Sequence, residues 1–157
     1  MNYWLFKTEP STYSWEDLKR QPDRTDYWDG IRNYQARNFL RDKVKKGDLV
    51  FFYHSVKQPQ AIMGIAEVVR EAYPDHTAFD PESRYYDPKS DRDSPRWFMV
   101  DIRAIAEFDP PILRDELKHI AGLENMMLLR KGSRLSIQPV SAEEWNIILA
   151  YRTPREL

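Results

Sequence analysis

The chain has 157 residues, with 24 Lys and Arg against 25 Asp and Glu and a formal net charge of -1 at pH 7, and this length favours one domain spanning residues 1–157. It contains no cysteine, which excludes disulfides, thiolate metal sites, Fe–S clusters and a cysteine nucleophile. No apolar run approaches the roughly 18 residues of a membrane span, and the N-terminus carries an acid and a proline too early for a signal peptide, so we expect an intracellular, cytoplasmic or nuclear protein that is not secreted.

The N-terminal part of the chain predicts one strand followed by two short helices. Residues 2–7 are aromatic and apolar, as in a strand. Residues 14–17 form the pattern of a capping box, which predicts a helix through about residue 20. Residues 28–30 predict a turn, and Asn33 is placed to cap a helix from Tyr34 to about residue 42.

The middle of the chain predicts two strands and one long loop. Residues 49–53 give the clearest strand signal, and residues 62–69 give another, within which Gly64 predicts a bulge or a close backbone approach. Residues 73–95 hold four prolines with aromatic residues between them. Irregular stretches longer than about 12–15 residues are usually functional or disordered, and the aromatic and proline content favours an ordered, functional loop.

The C-terminal part predicts a strand over 97–105 that the prolines at 110–111 interrupt, a helix over 113–120, a short extended segment over 136–140, and a capped helix over 141–150. Strands and helices do not alternate as they do in a parallel βαβ fold. We therefore predict an α+β, mainly β fold, with a bent mixed sheet or open barrel flanked by short helices.

The usual catalytic and cofactor-binding signatures are missing. The sequence contains no G-x-G-x-x-G, Walker loop, H-E-x-x-H or G-x-S-x-G. The three histidines, at 54, 76 and 119, lack metal-ligand spacing. We expect no cofactor, no metal and no catalytic residue, although a Lys, Glu or Tyr could still act as an acid or base.

Charge is separated locally despite the neutral total. Residues 32–46 hold six basic residues and one acid, residues 73–94 hold six acids and three bases, and a second small basic cluster consists of Arg130, Lys131 and Arg134. A basic helix is often only a solvated face. The functional interpretation is a patch that contacts phosphates and so positions a nucleic acid without reading its bases.

Aromatic and polar residues of the kind that read a nucleobase occur together in two segments, 28–35 and 52–55. A pocket for one flipped base needs aromatic faces for stacking and polar groups for the Watson–Crick edge. The alternative is that Trp28 and Tyr53 belong to the core and that Asn33 is only a helix cap.

Several segments resemble one family, the EVE domain, in order along nearly the whole chain. The matching runs are 3–10, 28–39, 47–55, 64–69, 85–90, 96–101 and 134–140. Thr8 departs from the family's frequent Ser but keeps the hydroxyl. The resemblance implies a PUA-like fold, related to the YTH domains that read methylated adenine in RNA. It also implies a module that binds a modified base, either a modified cytosine in DNA or a modified base in RNA.

The residues and the resemblance together define a candidate site. The expected partner is modified DNA or RNA, or a modified nucleotide, with no membrane and with the protein as a monomer. The loop over 73–95 could close the pocket with Tyr85 or Tyr86. The pocket residues are Trp28, Asn33, Tyr34, Gln35, Tyr53, His54 and Ser55, to which the resemblance adds Glu9, Ser136 and Gln138. The phosphate contacts are Arg32, Arg37, Arg41 and Arg134.

Two alternatives remain open at this point. Some ASCH proteins, which resemble this fold, hydrolyse modified nucleosides with a Lys, a Thr and a Glu, and residues 7–9 contain these three types in succession. The other alternative is a protein-interaction module, in which Trp28 and Tyr53 would pack together without a cavity.

Overall fold

The computed structural model describes residues 1–157 and contains one seven-stranded sheet with short helices packed on it. The strands are β1 (Tyr3–Thr8), β2 (Thr25–Trp28), β3 (Leu49–His54), β4 (Ala61–Pro74), β5 (Phe98–Leu113), β6 (Ile137–Val140) and β7 (Arg155–Glu156). The helices are α1 (Trp15–Arg20), α2 (Tyr34–Asn38), α3 (Arg114–Leu117) and α4 (Ala142–Tyr151). A π-helical segment, Phe39–Lys43, continues α2, and 3-10 turns lie at Pro22–Arg24, His76–Phe79 and Met127–Leu129.

The sheet is mixed and open. Its strand order is β2-β5-β4-β3-β1-β6, with β7 paired to β5, and only the β1–β3 pair is parallel. The predicted fold class, α+β and mainly β with a mixed sheet and flanking short helices, is confirmed.

Both faces of the sheet are buried, and each supports its own hydrophobic cluster. Because side chains alternate along a strand, Trp4 and Phe6 of β1 face one cluster while Leu5 faces the other. Helices α1 and α2 cover the first face, and α3 and α4 cover the second. The strand β3 divides in the same way, with Phe52 on the first face and Tyr53 on the second.

The bulge expected at Gly64 is present. The register of β4 against β5 shifts between Ile62 and Gly64. A Cβ atom at Gly64 would lie 2.2 Å from Cζ2 of Trp15, so only glycine lets this helix residue pack on the sheet. Helix α1 therefore begins in fixed contact with the centre of the sheet.

The starts of α1, α2 and α4 follow the sequence signals closely. Ser14 and Asp17 form the predicted capping box, and Ser141 and Glu144 form a second one at the start of α4. Asn33 caps α2, with its side chain accepting from the Ala36 amide.

The prediction that the prolines at 110–111 interrupt the strand is wrong, because β5 continues through them to Leu113. The pairing of β5 with β4 passes from Glu107 directly to Ile112, so the two prolines lie in a bulge where no ladder amide is required of them. The helix expected over 113–120 is reduced to the four residues of α3.

Two other features differ from expectation. The edge strand β2 was not predicted, because its four residues carry only a weak β pattern and the strand is defined by pairing with β5. The long loop is shorter than expected, since β4 continues to Pro74 and residues 76–79 form a 3-10 turn. No helix is both long and apolar enough to cross a membrane.

Candidate functional site

A cavity of about 520 Å³ opens beside the ends of β1 and β2. We call it the aromatic cavity, because four of its lining residues are Tyr or Trp. Four separate parts of the chain form it, namely the end of β1 with its following turn, the end of β2, the loop after β4, and the residue before β6. The lining residues are Lys7, Thr8, Glu9, Thr12, Tyr13, Asp26, Tyr27, Trp28, Asp29, Gly30, Ile31, Arg84, Tyr85 and Ser136.

One wall of the aromatic cavity is held by the hydrophobic core. The Trp28 ring lies 5.4 Å from Phe6 and 5.4 Å from Phe52, so it has little freedom to move. Tyr13 meets Trp28 edge-on, and its hydroxyl donates to Asp26 at 2.6 Å. Burial, together with this hydrogen bond to Asp26, raises the pKa of Tyr13, so the hydroxyl stays protonated. This wall is rigid before any ligand arrives.

The opposite side is formed by Tyr85, which belongs to the long loop. Its ring packs on the backbone of Gly30, where a Cβ atom would lie 2.6 Å from the ring. Gly30 also has φ +80, a conformation that favours glycine. The loop contributes Tyr85 to the cavity, whereas Tyr86 does not line it and is exposed.

Arg32 fixes the loop that carries Tyr85. Its guanidinium donates to the carbonyl oxygen of Tyr85 at 2.7 and 3.1 Å and to Asp75 at 3.0 Å. The Asp75 side chain is fully buried and also accepts from the Gly30 amide at 2.9 Å. Burial alone would raise the pKa of Asp75, but hydrogen bonds from Thr77, Gly30 and Arg32 lower it. The ion pair between the partly buried Arg32 and the buried Asp75 therefore holds both Tyr85 and Gly30 in place.

The charged lining has one more acid than cations. Three carboxylates, Glu9, Asp26 and Asp29, face two cations, Lys7 and Arg84. Burial and the negative charge of Asp75 raise the pKa of Asp29. Burial and the positive charge of Arg114 lower the pKa of Lys7. The cavity thus offers acceptors for a ligand's N–H groups beside aromatic faces.

Three of the sequence-predicted pocket residues, Trp28, Glu9 and Ser136, line this cavity. The α2 residues do not. Asn33 is used as the helix cap, Tyr34 stacks on Trp97 at 4.9 Å, and Gln35 is exposed outside the cavity.

The β3 residues also lie elsewhere. Tyr53 is completely buried in the second-face cluster, and its hydroxyl donates to Gln60 at 2.8 Å. Since Phe52 contacts Trp28, its neighbour Tyr53 must point to the opposite face. The expected cavity walled by Trp28, Tyr34 and Tyr53 is therefore not formed, and the observed cavity lies elsewhere around Trp28.

The remaining predicted pocket residues have structural contacts. His54 accepts the Trp15 amide hydrogen at Nε2, over 3.0 Å, and burial lowers its pKa, so it is a neutral acceptor. Gln138 is buried and donates to the carbonyl of Leu135 at 2.9 Å. Ser55 lines a second, neighbouring cavity of about 430 Å³.

The predicted phosphate contacts are mostly engaged within the protein. Arg32 is partly buried and is engaged with Asp75 and the Tyr85 carbonyl, as described above. Arg37 donates to the carbonyl of Arg96 at 2.9 Å and lies over the Tyr34 ring. Arg41 pairs with its neighbour Asp42 at 2.8 Å. Of the four, Arg134 alone has neither an ion pair nor a hydrogen bond that engages its side chain within the protein.

Sequence reasoning missed the contributions of Tyr13, Asp26 and Asp29. Asp26 lies two residues before Trp28, and Asp29 follows Trp28 inside the segment 28–35. Proximity in sequence to a recognised pocket residue was therefore a usable signal. Tyr13 reaches the cavity only because of the turn after β1, and no sequence pattern near Tyr13 predicts that position.

Comparison with known proteins places these observations in a family. The EVE domain family model matches residues 2–151. Mouse thymocyte nuclear protein 1 is 45% identical over 165 residues, which is 95% of this chain and 73% of the mouse protein. A crystal structure of human THYN1 in complex with 5-methylcytosine-containing DNA is 43% identical, with a TM-score of 0.90, over 96% of this chain and 97% of that one.

A more distant likeness concerns the fold alone. A mutant ASCH protein of Zymomonas mobilis is 12% identical with a TM-score of 0.53, over 98% of this chain and 100% of that one. The human structure and this more distant one together confirm the expected PUA-like fold.

Proposed function

The chain belongs to the EVE domain family, and we propose that it binds DNA carrying a modified cytosine by holding one such base in the aromatic cavity. The observation that carries the proposal is the composition of this cavity, which joins aromatic walls to carboxylates in about 520 Å³. The human relative that was crystallised with 5-methylcytosine-containing DNA shares 43% of its sequence with this chain.

The size and walls of the cavity suit a single base. Pockets for small ligands usually measure about 300–1,000 Å³. A base that is read on its edge must leave the helical stack, and it regains stacking on aromatic side chains in the pocket. Such stacking contributes about 1–3 kcal/mol per base. Trp28 and Tyr85 provide the faces, one fixed by the core and the other fixed by Arg32.

The acidic lining favours cytosine among the four bases. Cytosine presents its N4 amino group as a donor, and Asp or Glu is a suitable acceptor for it. Asp29 and Glu9 line the cavity, and neither accepts a side-chain hydrogen bond from elsewhere in the protein. Lys7 and the Ser136 hydroxyl supply donors for the O2 and N3 acceptors of the same base.

Selectivity for a modified base would come from an apolar contact with the added group. One methyl group in a hydrophobic pocket contributes about 1–3 kcal/mol, so discrimination against plain cytosine of about 10–200-fold is expected. The aromatic walls provide that contact without any covalent step.

The test is a fluorescence anisotropy titration with oligonucleotides that differ at one base. Matched DNA and RNA strands would carry cytosine, 5-methylcytosine, 5-hydroxymethylcytosine or N6-methyladenine at one position. We expect the tightest binding for DNA with a modified cytosine. Equal affinity for the plain and modified forms of every base would contradict the proposal.

A pair of neighbouring tyrosines gives a matched control. Tyr85→Ala removes a wall of the cavity and is expected to weaken binding about fivefold or more, which corresponds to at least ~1 kcal/mol of lost stacking. Tyr86→Ala removes an exposed ring outside the cavity and is expected to change affinity less than about twofold. Equal effects of the two changes would show that the ligand lies elsewhere.

A hydrolase acting on a modified cytidine is the second candidate, because Lys7, Thr8 and Glu9 all line the same cavity. Against it, the Thr8 hydroxyl already donates to the carbonyl of Tyr13 at 2.8 Å. The test is chromatographic detection of turnover of modified cytidines by the unaltered protein. Turnover that disappears in Lys7→Gln and Glu9→Gln would favour the enzyme over the binding module.

A further inference from the structure

The second cavity, of about 430 Å³, is lined by four cations and no carboxylate. We call it the cationic cavity. The cations are Lys7, Arg114, Arg130 and Lys131. None of the four forms an ion pair with any carboxylate of the chain. Four unpaired cations around one concave surface form a site suited to an anion.

In the basic segment 32–46, by contrast, three of the six cations are paired with carboxylates, which leaves three unpaired. Arg32 pairs with Asp75 at 3.0 Å, Arg41 with Asp42 at 2.8 Å, and Lys45 lies 4.0 Å from Glu71. Counting charges along the sequence gave this segment the larger excess. Counting unpaired charges in the structure instead favours the cationic cavity.

The two cavities are adjacent and share one lining residue. Lys7, near the end of β1, lines both. The loop before β6 also contributes to both, with Gly132 and Ser133 in the cationic cavity and Ser136 in the aromatic one. The buried side chain of Gln138 holds this loop by donating to Leu135 and to Ser133.

We propose that the cationic cavity binds a phosphate group of the nucleotide whose base occupies the aromatic cavity, an inference that rests on the proposed function. Lys7 lines both cavities and would therefore lie between the base and the phosphate. The crowding of Lys7 by Arg114 without a counter-ion adds to burial in lowering the pKa of Lys7, and a bound phosphate would relieve that repulsion. Phosphate contacts fix position rather than base identity, so this site supplies affinity and the aromatic cavity supplies selection.

The test compares two double variants that remove the same charge. Arg130→Gln with Lys131→Gln acts on accessible side chains of the cationic cavity. Lys43→Gln with Lys46→Gln is the control, because both lysines are exposed and outside either cavity. Unfolding midpoints of both variants are measured first to establish that each is folded.

The readout is the dependence of oligonucleotide affinity on salt. For single-stranded DNA, each neutralised phosphate contributes about 0.7 to the slope of log K against log salt. Loss of this one phosphate contact at the cationic cavity is expected to reduce the slope by about 0.7, while the control leaves it nearly unchanged. The preference for the modified base should survive in both variants. Equal slopes in the two variants would overturn the phosphate site.

This design separates the two proposals. If the protein shows no preference for a modified base, but the slope falls only in the cationic-cavity variant, the base-reading function fails and the phosphate site stands.

Calorimetry with 5-methyl-2′-deoxycytidine and its 5′-monophosphate identifies the source of the phosphate. A gain of about tenfold for the monophosphate, lost in the variant, indicates the nucleotide's own 5′-phosphate. No gain, with the oligonucleotide effect intact, indicates a phosphate that only the continuous strand supplies.

Discussion

The change Arg32→Gln tests whether Arg32, in the basic segment 32–46, is a structural residue and not a phosphate contact. The guanidinium of Arg32 holds the Tyr85 carbonyl at 2.7 and 3.1 Å and the fully buried carboxylate of Asp75 at 3.0 Å. Removing one partner of a buried ion pair typically costs about 3–5 kcal/mol, because the other charge is left unpaired. Asp75 keeps hydrogen bonds from Thr77 and Gly30, so we expect the lower end, about 3 kcal/mol.

For a chain of this length, that loss corresponds to a decrease of about 6–12 °C in Tm, at roughly 2–4 °C per kcal/mol. The assay is calorimetric or fluorescence-detected unfolding, with Arg41→Gln as the control. Arg41 pairs with Asp42 on the surface, and exposed pairs of this kind contribute little. We expect the Tm of the control to be unchanged within about 1 °C.

Ligand binding gives a second, independent readout for Arg32→Gln. Because Tyr85 loses its anchor, affinity for the modified oligonucleotide should fall, while the salt slope stays the same. A phosphate contact would behave in the opposite way, reducing the slope with little loss of stability. A Tm equal to that of Arg41→Gln, together with a reduced salt slope, would refute the assignment of Arg32 as the residue that anchors the loop of Tyr85.

Three further changes test other parts of the fold and site. Glu107→Gln probes the carboxylate that accepts from Lys19, Arg155 and Trp15; burial opposes its ionisation, but these hydrogen bonds hold its pKa at about 2. Because this pKa lies below that of the unfolded chain, the stabilisation is complete above pH ~4.5 and is lost as pH falls toward about 2. The Tm difference between Glu107→Gln and the unaltered protein should therefore shrink over that window. A constant difference would contradict the assignment. Gly64→Ala forces a methyl group to within 2.2 Å of a Trp15 ring atom and should cost about 3 kcal/mol in urea unfolding; a cost below about 1 kcal/mol would show that α1 can move away. Tyr53→Phe removes a buried hydroxyl that donates to Gln60 and should lower stability by about 1 kcal/mol while leaving ligand affinity unchanged, whereas weakened binding would restore Tyr53 to the pocket.

The sequence by itself determined most of the local structure. The capping boxes at Ser14 and Ser141, the Asn33 cap and the bulge at Gly64 all depend on contacts between residues close in the chain or on a missing Cβ atom. Resemblance to the EVE domain, which rests on long aromatic strings in order, also determined the fold class. These signals are local, so they could be read without knowing where distant segments lie.

Only the tertiary structure decided which side chains share a cavity. Trp28, Tyr53 and Tyr34 looked equivalent in sequence, but alternation along β3 directs Tyr53 to the opposite face, and stacking on Trp97 removes Tyr34. The same holds for charge, because the free or paired state of a cation depends on a partner such as Asp75, far along the chain from Arg32. Composition gives only the number of charges, whereas the fold determines which charges are paired. The proposed site lies where cations and aromatic faces are left without partners.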